Sequence, residues 1–165
     1  MSKYEEQAND KLYRWTINIL RTINLDIIDL HSHLFRSISY LQKKDVLFNH
    51  CLDEYTTVRR SAVSHVFIDA LTRGRTSNNT HYPAMERYSH DILRYIGDMF
   101  AFLHQIIVFE EDMLKSLVKY CDQDKLLKNN TIKNVLSAIT QGIELFNSFT
   151  FIYAYLLLPV FFIQA

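Results

Sequence analysis

The chain has 165 residues, enough to bury one hydrophobic core, and its 18 basic and 18 acidic residues give a formal net charge of zero. A neutral chain has no bulk electrostatic field that would attract nucleic acid or steer an anionic substrate. Only three glycines and two prolines accompany 48% hydrophobic residues, so the residues that hairpins and glycine-rich loops need are scarce. We therefore expect an all-α fold of about five helices without a sheet.

Apolar residues that recur every three or four positions predict the first two helices. The first helix is expected from about residue 3 to residue 22, and its predicted buried stripe is Ala8, Leu12, Trp15 and Ile19. The second is expected from about residue 25 to residue 41, with Ile27, Leu30, Leu34, Ile38 and Leu41 on one side.

A long third helix is expected from about residue 45 to residue 71, and Gly74 is well placed to end it. Its main stripe is Cys51, Tyr55, Val58, Ala62 and Val66, with Val63, Phe67 and Ala70 beside it. The arginines of this region, Arg59, Arg60, Arg73 and Arg75, could bind an anionic partner. Because Asp53, Glu54 and Asp69 lie on the same helix, a solvated face of mixed charge is the favoured interpretation.

The remaining chain is predicted to hold one loop, two helices and a break between them. The loop is "GRTSNNTHYP", residues 74–83, which contains most of the turn-forming residues. A fourth helix is expected from about residue 89 to residue 122, followed by the polar break "DQDKLLKNN". Thr131 can cap a fifth helix with Ile132, Leu136, Ile139 and Ile143 on one face.

The fourth helix is apolar over an unusually broad face, which indicates packing against more than one neighbour. One row consists of Ile92, Ile96, Met99, Leu103 and Ile106, and a second row, at spacing seven, of Leu93, Phe100, Ile107 and Leu114. A glycine within a helix costs about 1 kcal/mol relative to alanine, so Gly97 with Ala101 suggests a flat strip that another backbone approaches, inside the bundle or in another subunit. A tolerated surface glycine is the alternative. The candidate packing or interface residues are Gly97, Ala101, Leu93, Phe100 and Ile107.

The pair His90-Asp91 raises an alternative, since some all-helical metal phosphohydrolases build their site around such a dipeptide. A third and fourth ligand would have to come from His50 or His65 and from Asp112 or Asp122. His90 and His104 are about 21 Å apart along one helix, too far to share a metal. No spacing in the chain selects a ligand set, so capping of a helix start is the favoured interpretation.

Two further features bear on the compartment and on membranes. Cys51 and Cys121 fall at apolar positions and are expected to be buried free thiols in a reducing compartment. Residues 145–165, "LFNSFTFIYAYLLLPVFFIQA", carry no charge and are about as long as a bilayer-spanning helix requires. Polar residues within them and the absence of flanking basic clusters weaken that interpretation, and a segment that lacks its partner surface remains the alternative.

Three segments resemble a known family in the same order. They are "KLYRW" (11–15), "FNHCLDEYTTVRRSAVSHVFIDALTRG" (48–74) and "SHDILRYIGDMFAFLHQ" (89–105). They are similar to segments of subunit six of the conserved oligomeric Golgi complex, over about residues 11–142. The chain is therefore expected to be a fragment of a longer protein, with a helical bundle at 1–142 and a divergent, uncharged hydrophobic tail at 143–165.

The resemblance implies an elongated, rod-like helical bundle that acts without catalysis in vesicle tethering, intra-Golgi retrograde transport and Golgi organisation. It implies sister subunits as partners, with membrane-fusion (SNARE) proteins and coiled-coil tethers reached through the complex. It also implies peripheral association with the cytosolic face of the Golgi membrane. Neither a cofactor, a nucleic acid nor a small-molecule substrate is expected.

Overall fold

The structure, a computed structural model, describes residues 3–22, 32–77 and 80–141, and it is dominated by helices. The helices are α1 (Lys3–Arg21), α2 (Ser32–Leu41), α3 (Asp45–Thr72), α4 (Ile92–Leu117), α5 (Gln123–Lys128) and α6 (residues 131–141). The all-α prediction is confirmed. The predicted domain boundary at residue 142 stays a prediction, and the tail 143–165 lies outside the described residues.

Gly74 ends α3 as predicted, but the segment after it is not an irregular loop. The backbone of Gly74 has a φ of +81°, and its N–H donates to the carbonyl oxygen of Asp69 at 3.0 Å. Strands β1 (Arg75–Ser77) and β2 (Thr80–Tyr82) then form a two-stranded antiparallel ribbon, followed by the 3-10 helix Met85–Tyr88. The expectation of no sheet is corrected here for this small ribbon, because the same turn-forming residues suit hairpins and irregular loops.

The predicted break after α4 is also corrected, because part of it is the short helix α5. The carboxylate of Asp122 accepts hydrogen bonds from the N–H groups of Asp124 at 3.1 Å and Lys125 at 3.4 Å, which caps α5. The Gln42 side chain accepts from the Asp122 N–H at 2.6 Å and donates to the Asp122 carbonyl at 3.2 Å. Helix α4 ends at Leu117, earlier than predicted, and the Gln42 contacts join the end of α2 to the start of α5.

A single hydrophobic core is shared by α1, α2, α3, α4 and the chain that follows α4. The predicted stripe of α2 is confirmed for Leu34, Ile38 and Leu41, while Ile27 and Leu30 lie outside the described residues. The most deeply buried core residues include Leu20, Leu34, Ile38, Leu41, Cys51, Tyr55, Val63, Leu114, Leu117 and Ile139.

The predicted buried face of α1 is wrong by about a third of a turn. Ala8 is exposed and Trp15 is 41% exposed, whereas the buried residues are Asn9, Thr16, Ile17 and Leu20. The hydroxyl of Thr16 donates to Ser37 Oγ on α2 at 3.1 Å, which turns this polar side of α1 towards the core. The orientation of α1 therefore follows from its packing against both α2 and α3, and not from the apolar period of its sequence.

The solvated interpretation of the α3 arginines is wrong for Arg59, which forms a buried ion pair with Glu110 of α4. Both side chains are 0% exposed. Arg59 Nε donates to Glu110 Oε2 at 2.9 Å, and Arg59 Nη2 donates to Glu110 Oε1. Burial lowers the pKa of Arg59, but the hydrogen bond and charge of Glu110 outweigh it, so the pKa is raised and the guanidinium stays charged.

Removal of one charge of this pair should destabilise the chain strongly. Glu110→Gln leaves the Arg59 cation buried without a counter-charge, and we expect the free energy of unfolding to fall by about 3–5 kcal/mol in urea titrations followed by circular dichroism. The control is Glu111→Gln, which breaks the exposed pair with Lys115 and should cost about 0.5 kcal/mol or less. The double variant Arg59→Met/Glu110→Leu should recover most of the loss. A Glu110→Gln protein as stable as Glu111→Gln would contradict the role of the pair.

Candidate functional site

The start of α4 is fixed by short-range contacts, one of which involves Asp91, a candidate metal ligand. Asp91 is the N-cap, and its carboxylate accepts from the N–H of Arg94 at 3.2 Å. The Arg94 guanidinium lies 3.8 Å from the centre of the Tyr88 ring, and Arg94 Nε lies 3.8 Å from Asp98 Oδ2. The 3-10 helix and the first turns of α4 are thereby held together.

One side of α4 is part of the core. Met99, Leu103 and Ile106 of the first predicted row are buried, and Ile92 and Ile96 are half-buried. The side chain of Phe102 also packs inwards, with its ring stacked on Phe67 of α3 at a centroid distance of 6.3 Å. The buried residues of α4 are Met99, Phe102, Leu103, Ile106, Glu110, Met113, Leu114 and Leu117.

The exposed side of α4 includes a largely apolar stripe, which we call the α4 face. It consists of Leu93, Gly97, Phe100, Ala101, His104 and Val108, with Ile107 half-buried at its edge. Leu93 is 79% exposed, and a Cβ added to Gly97 would meet no atom within 4 Å. No neighbour in the described bundle therefore approaches Gly97. Whether this face is an interface stays a prediction.

The second predicted row of α4 divides between these two sides for a geometric reason. Residues seven apart drift by about 20° per heptad on a straight helix. Leu93 and Phe100 are consequently exposed, Ile107 is half-buried and Leu114 is buried. The row crosses from the α4 face into the core, which explains why periodicity alone could not assign it to one side.

The residues of the phosphohydrolase alternative do not converge. His90 is exposed, Asp91 caps α4, Asp122 caps α5, and His50 Nδ1 lies 2.8 Å from the hydroxyl of Tyr13 in a hydrogen bond. Among the residues that the structure describes, no group of three His, Cys, Asp or Glu side chains could hold a metal ion. The geometry gives this alternative no support.

Both cysteines are buried free thiols, as predicted. Burial, with a smaller contribution from the charge of Glu54, raises the pKa of Cys51 to about 12. Burial also raises the pKa of Cys121 to about 11. Because the thiolate is the reactive form, neither cysteine is a nucleophile near neutral pH.

Helix α4 is also the one helix in the described part of the chain that is long and apolar enough to cross a membrane. Length and composition are weak evidence for a span, because the core helix of a soluble protein satisfies the same criteria. Glu110 pairs with Arg59 inside the bundle, and the buried side of α4 contacts α2 and α3. The structure favours a core helix whose second apolar side is left uncovered.

The openness around Gly97 predicts a stabilising substitution. Gly97→Ala should raise the free energy of unfolding of the isolated chain by about 0.5–1 kcal/mol, because alanine loses less backbone entropy and meets no obstacle. Urea titration measures this. The control is Gly74→Ala, whose Cβ would lie 2.3 Å from the Tyr82 carbonyl oxygen at a positive φ and should destabilise by more than about 1 kcal/mol. A loss of stability in Gly97→Ala would show that the described bundle needs this glycine.

Comparison with known proteins identifies the family. The family described as "Conserved Oligomeric Golgi complex subunit 6, C-terminal" matches residues 1–148. Conserved oligomeric Golgi complex subunit 6 from Homo sapiens is 38% identical over 143 residues, which are 87% of this chain and 21% of that protein. The protein of the same name from Drosophila melanogaster is 37% identical over 143 residues, or 87% of this chain and 22% of that protein.

The relationship extends to fungi, and it covers only part of each relative. Conserved oligomeric Golgi complex subunit 6 from Aspergillus niger is 35% identical over 150 residues, which are 87% of this chain and 21% of that protein. No solved structure matches significantly. The chain thus spans about a fifth of the length of these relatives, as expected of a fragment. The predicted resemblance is confirmed, and the chain belongs to the conserved oligomeric Golgi complex subunit 6 family.

Proposed function

We propose that this chain is a non-catalytic part of a Golgi vesicle-tethering complex and acts through helix–helix contacts with sister subunits. The observation that carries the proposal is the family match over residues 1–148, together with relatives that are named as subunits of that complex. The proposal is supported by the structural roles of two candidate metal ligands, since Asp91 caps α4 and Asp122 caps α5. On this proposal, the chain takes part in intra-Golgi retrograde transport and in Golgi organisation.

The α4 face is the surface that we assign to a sister subunit. Its residues recur at spacings of three and four, and they include no Asp, Glu, Lys or Arg. Gly97 and Ala101 make its centre flat, so the backbone of a partner helix can approach closely. A helix that exposes such a stripe in isolation is stabilised when a second apolar helix covers it.

The same proposal places the chain at the cytosolic face of the Golgi membrane, associated peripherally. Membrane-fusion (SNARE) proteins and coiled-coil tethers are then met through the assembled complex. The neutral net charge agrees with the absence of a nucleic-acid partner. Membrane contact through the complex requires no span from α4, whose core side is already occupied.

Binding to recombinant sister subunits tests the α4 face. The wild-type chain should bind at least one of them, and Gly97→Glu should weaken that binding by about tenfold or more, because a charge and a side chain enter the flat strip. Ser116→Glu is the control, since Ser116 is exposed on α4 but lies outside the α4 face. Equal affinities of the two variants, measured by calorimetry, would remove the α4 face from the proposal, and a wild-type chain that binds no sister subunit would remove the proposal itself.

Peripheral association predicts the behaviour of the chain during alkaline extraction of membranes. We expect the full chain to be released into the soluble fraction, because a peripheral protein has no hydrophobic span to retain it. The measurement is immunodetection in both fractions, and a resident membrane-spanning protein is the control. Retention that disappears when residues 145–165 are deleted would instead support the anchor interpretation of the tail.

A further inference from the structure

Two residues of the predicted α1 stripe, the half-buried Leu12 and the exposed Trp15, line a groove on the surface. The α1–α2 groove has a volume of about 390 Å³ and is lined by Leu12, Trp15, His33, Arg36, Ser37 and Tyr40. Trp15 is 41% exposed and Tyr40 is 45% exposed. Beneath them, the buried hydrogen bond between Thr16 and Ser37 joins the two helices at 3.1 Å. The groove therefore has aromatic walls and a fixed floor.

Among the described residues that line this groove, the one charged side chain is that of Arg36, which is positive. These lining residues include no Asp or Glu, and α2 contains no acidic residue. Lys43, just after α2, lies with its ammonium 4.8 Å from the centre of the Tyr40 ring. Arg36 and Lys43 form no ion pair with a described residue. The acidic Asp10 of α1 is already paired with Arg14 at 3.0 Å. A ligand that fills the groove thus meets unpaired positive charge beside an apolar slot.

We propose that the α1–α2 groove binds an acidic amphipathic helix supplied by a sister subunit. Aliphatic side chains of that helix would enter between Trp15 and Tyr40, and its carboxylates would pair with Arg36 and Lys43. Tryptophan, tyrosine and arginine are the residues in which interface hot spots are enriched. A slot between two helices suits a third helix, whose side-chain ridges fit such a depression.

The positive charge of the groove argues against two other occupants, the tail of this chain and a second copy of it. Residues 145–165 carry no charged side chain and offer nothing to Arg36 and Lys43. In a two-fold symmetric dimer through this surface, each groove would meet the same positive charges of the other copy. The proposal rests on the proposed function for the source of the helix, but it concerns a surface separate from the α4 face.

Trp15 is the only tryptophan of the chain, so its fluorescence reports on the groove without a label. The probe is a tryptophan-free helical peptide of about 18 residues, about 27 Å long, with leucines on one side and glutamates flanking them. It should shift the Trp15 emission saturably, while the same peptide with lysines in place of glutamates should not. Arg36→Glu should weaken binding by about tenfold or more, and the exposed control Arg87→Glu should not. Circular dichroism verifies that both variants remain folded.

Several outcomes would overturn the groove proposal. One is equal binding of the acidic and basic peptides, or of Arg36→Glu and Arg87→Glu. A second contradicting outcome is occupation of the groove by the chain itself. It would appear as a shift of Trp15 emission in the absence of peptide when residues 145–165 are deleted, or when Asp26→Asn and Asp29→Asn are introduced. A shift that follows protein concentration, with dimers in sedimentation, would assign the groove to a second copy.

Binding of recombinant sister subunits separates this proposal from the proposed function. If the wild-type chain binds them and Arg36→Glu binds about tenfold more weakly than Arg87→Glu, both proposals stand. If the wild-type chain binds and the two variants are equal, the groove proposal alone fails. If the wild-type chain binds no sister subunit, the proposed function fails with it.

Discussion

The buried ion pair between Arg59 and Glu110 fixes how α3 and α4 meet. Transfer of each charge out of water costs several kcal/mol, and an ion pair recovers that cost only when its hydrogen bonds are short and bidentate. Arg59 bonds both carboxylate oxygens, so a slide of α4 by one turn, about 5.4 Å, would leave two buried charges apart. Apolar contacts such as that between Phe67 and Phe102 would tolerate the slide better. The pair therefore penalises such a slide and favours the observed register of α4 against α3.

The same ion pair is better suited to select one packing of α3 on α4 than to raise the free energy of unfolding. Among the described residues, Arg59 Nη1 and the Tyr55 hydroxyl have no hydrogen-bond partner although both atoms are buried. Burial, and then the charge of Glu110, raise the pKa of Tyr55, so the phenol stays neutral beside the carboxylate. A partly satisfied polar centre adds little net stability compared with an apolar core of the same volume. Its effect is that alternative packings of α3 on α4 are penalised more heavily than the native one.

Sequence predicted the helices well, and it predicted the buried faces of α2 and of much of α4, but it did not predict the buried face of α1. Periodicity shows which residues share a side of a helix, but α1 has two sides that could be buried. The side that is buried contains Asn9 and Thr16. The Arg59 pair did have a signal. Arg59 stands four residues from both Tyr55 and Val63 in one apolar stripe, and Glu110 stands four from both Ile106 and Leu114 in another. Opposite charges that interrupt two apolar stripes indicate a buried partnership, whereas the ribbon after Gly74 had no comparable signal.

The two uncovered surfaces differ in a way that matters for assembly. The α4 face is uncharged and flat at Gly97, whereas the α1–α2 groove is aromatic and bordered by positive charge. A helix with flanking carboxylates would lose their hydration on the α4 face without gaining partners, and a wholly apolar helix would leave Arg36 desolvated in the groove. Under the two proposals, each surface would thus select against the helix that suits the other. A chain with two such surfaces would join two different helices in one arrangement, which the buried ion pair between α3 and α4 helps to fix.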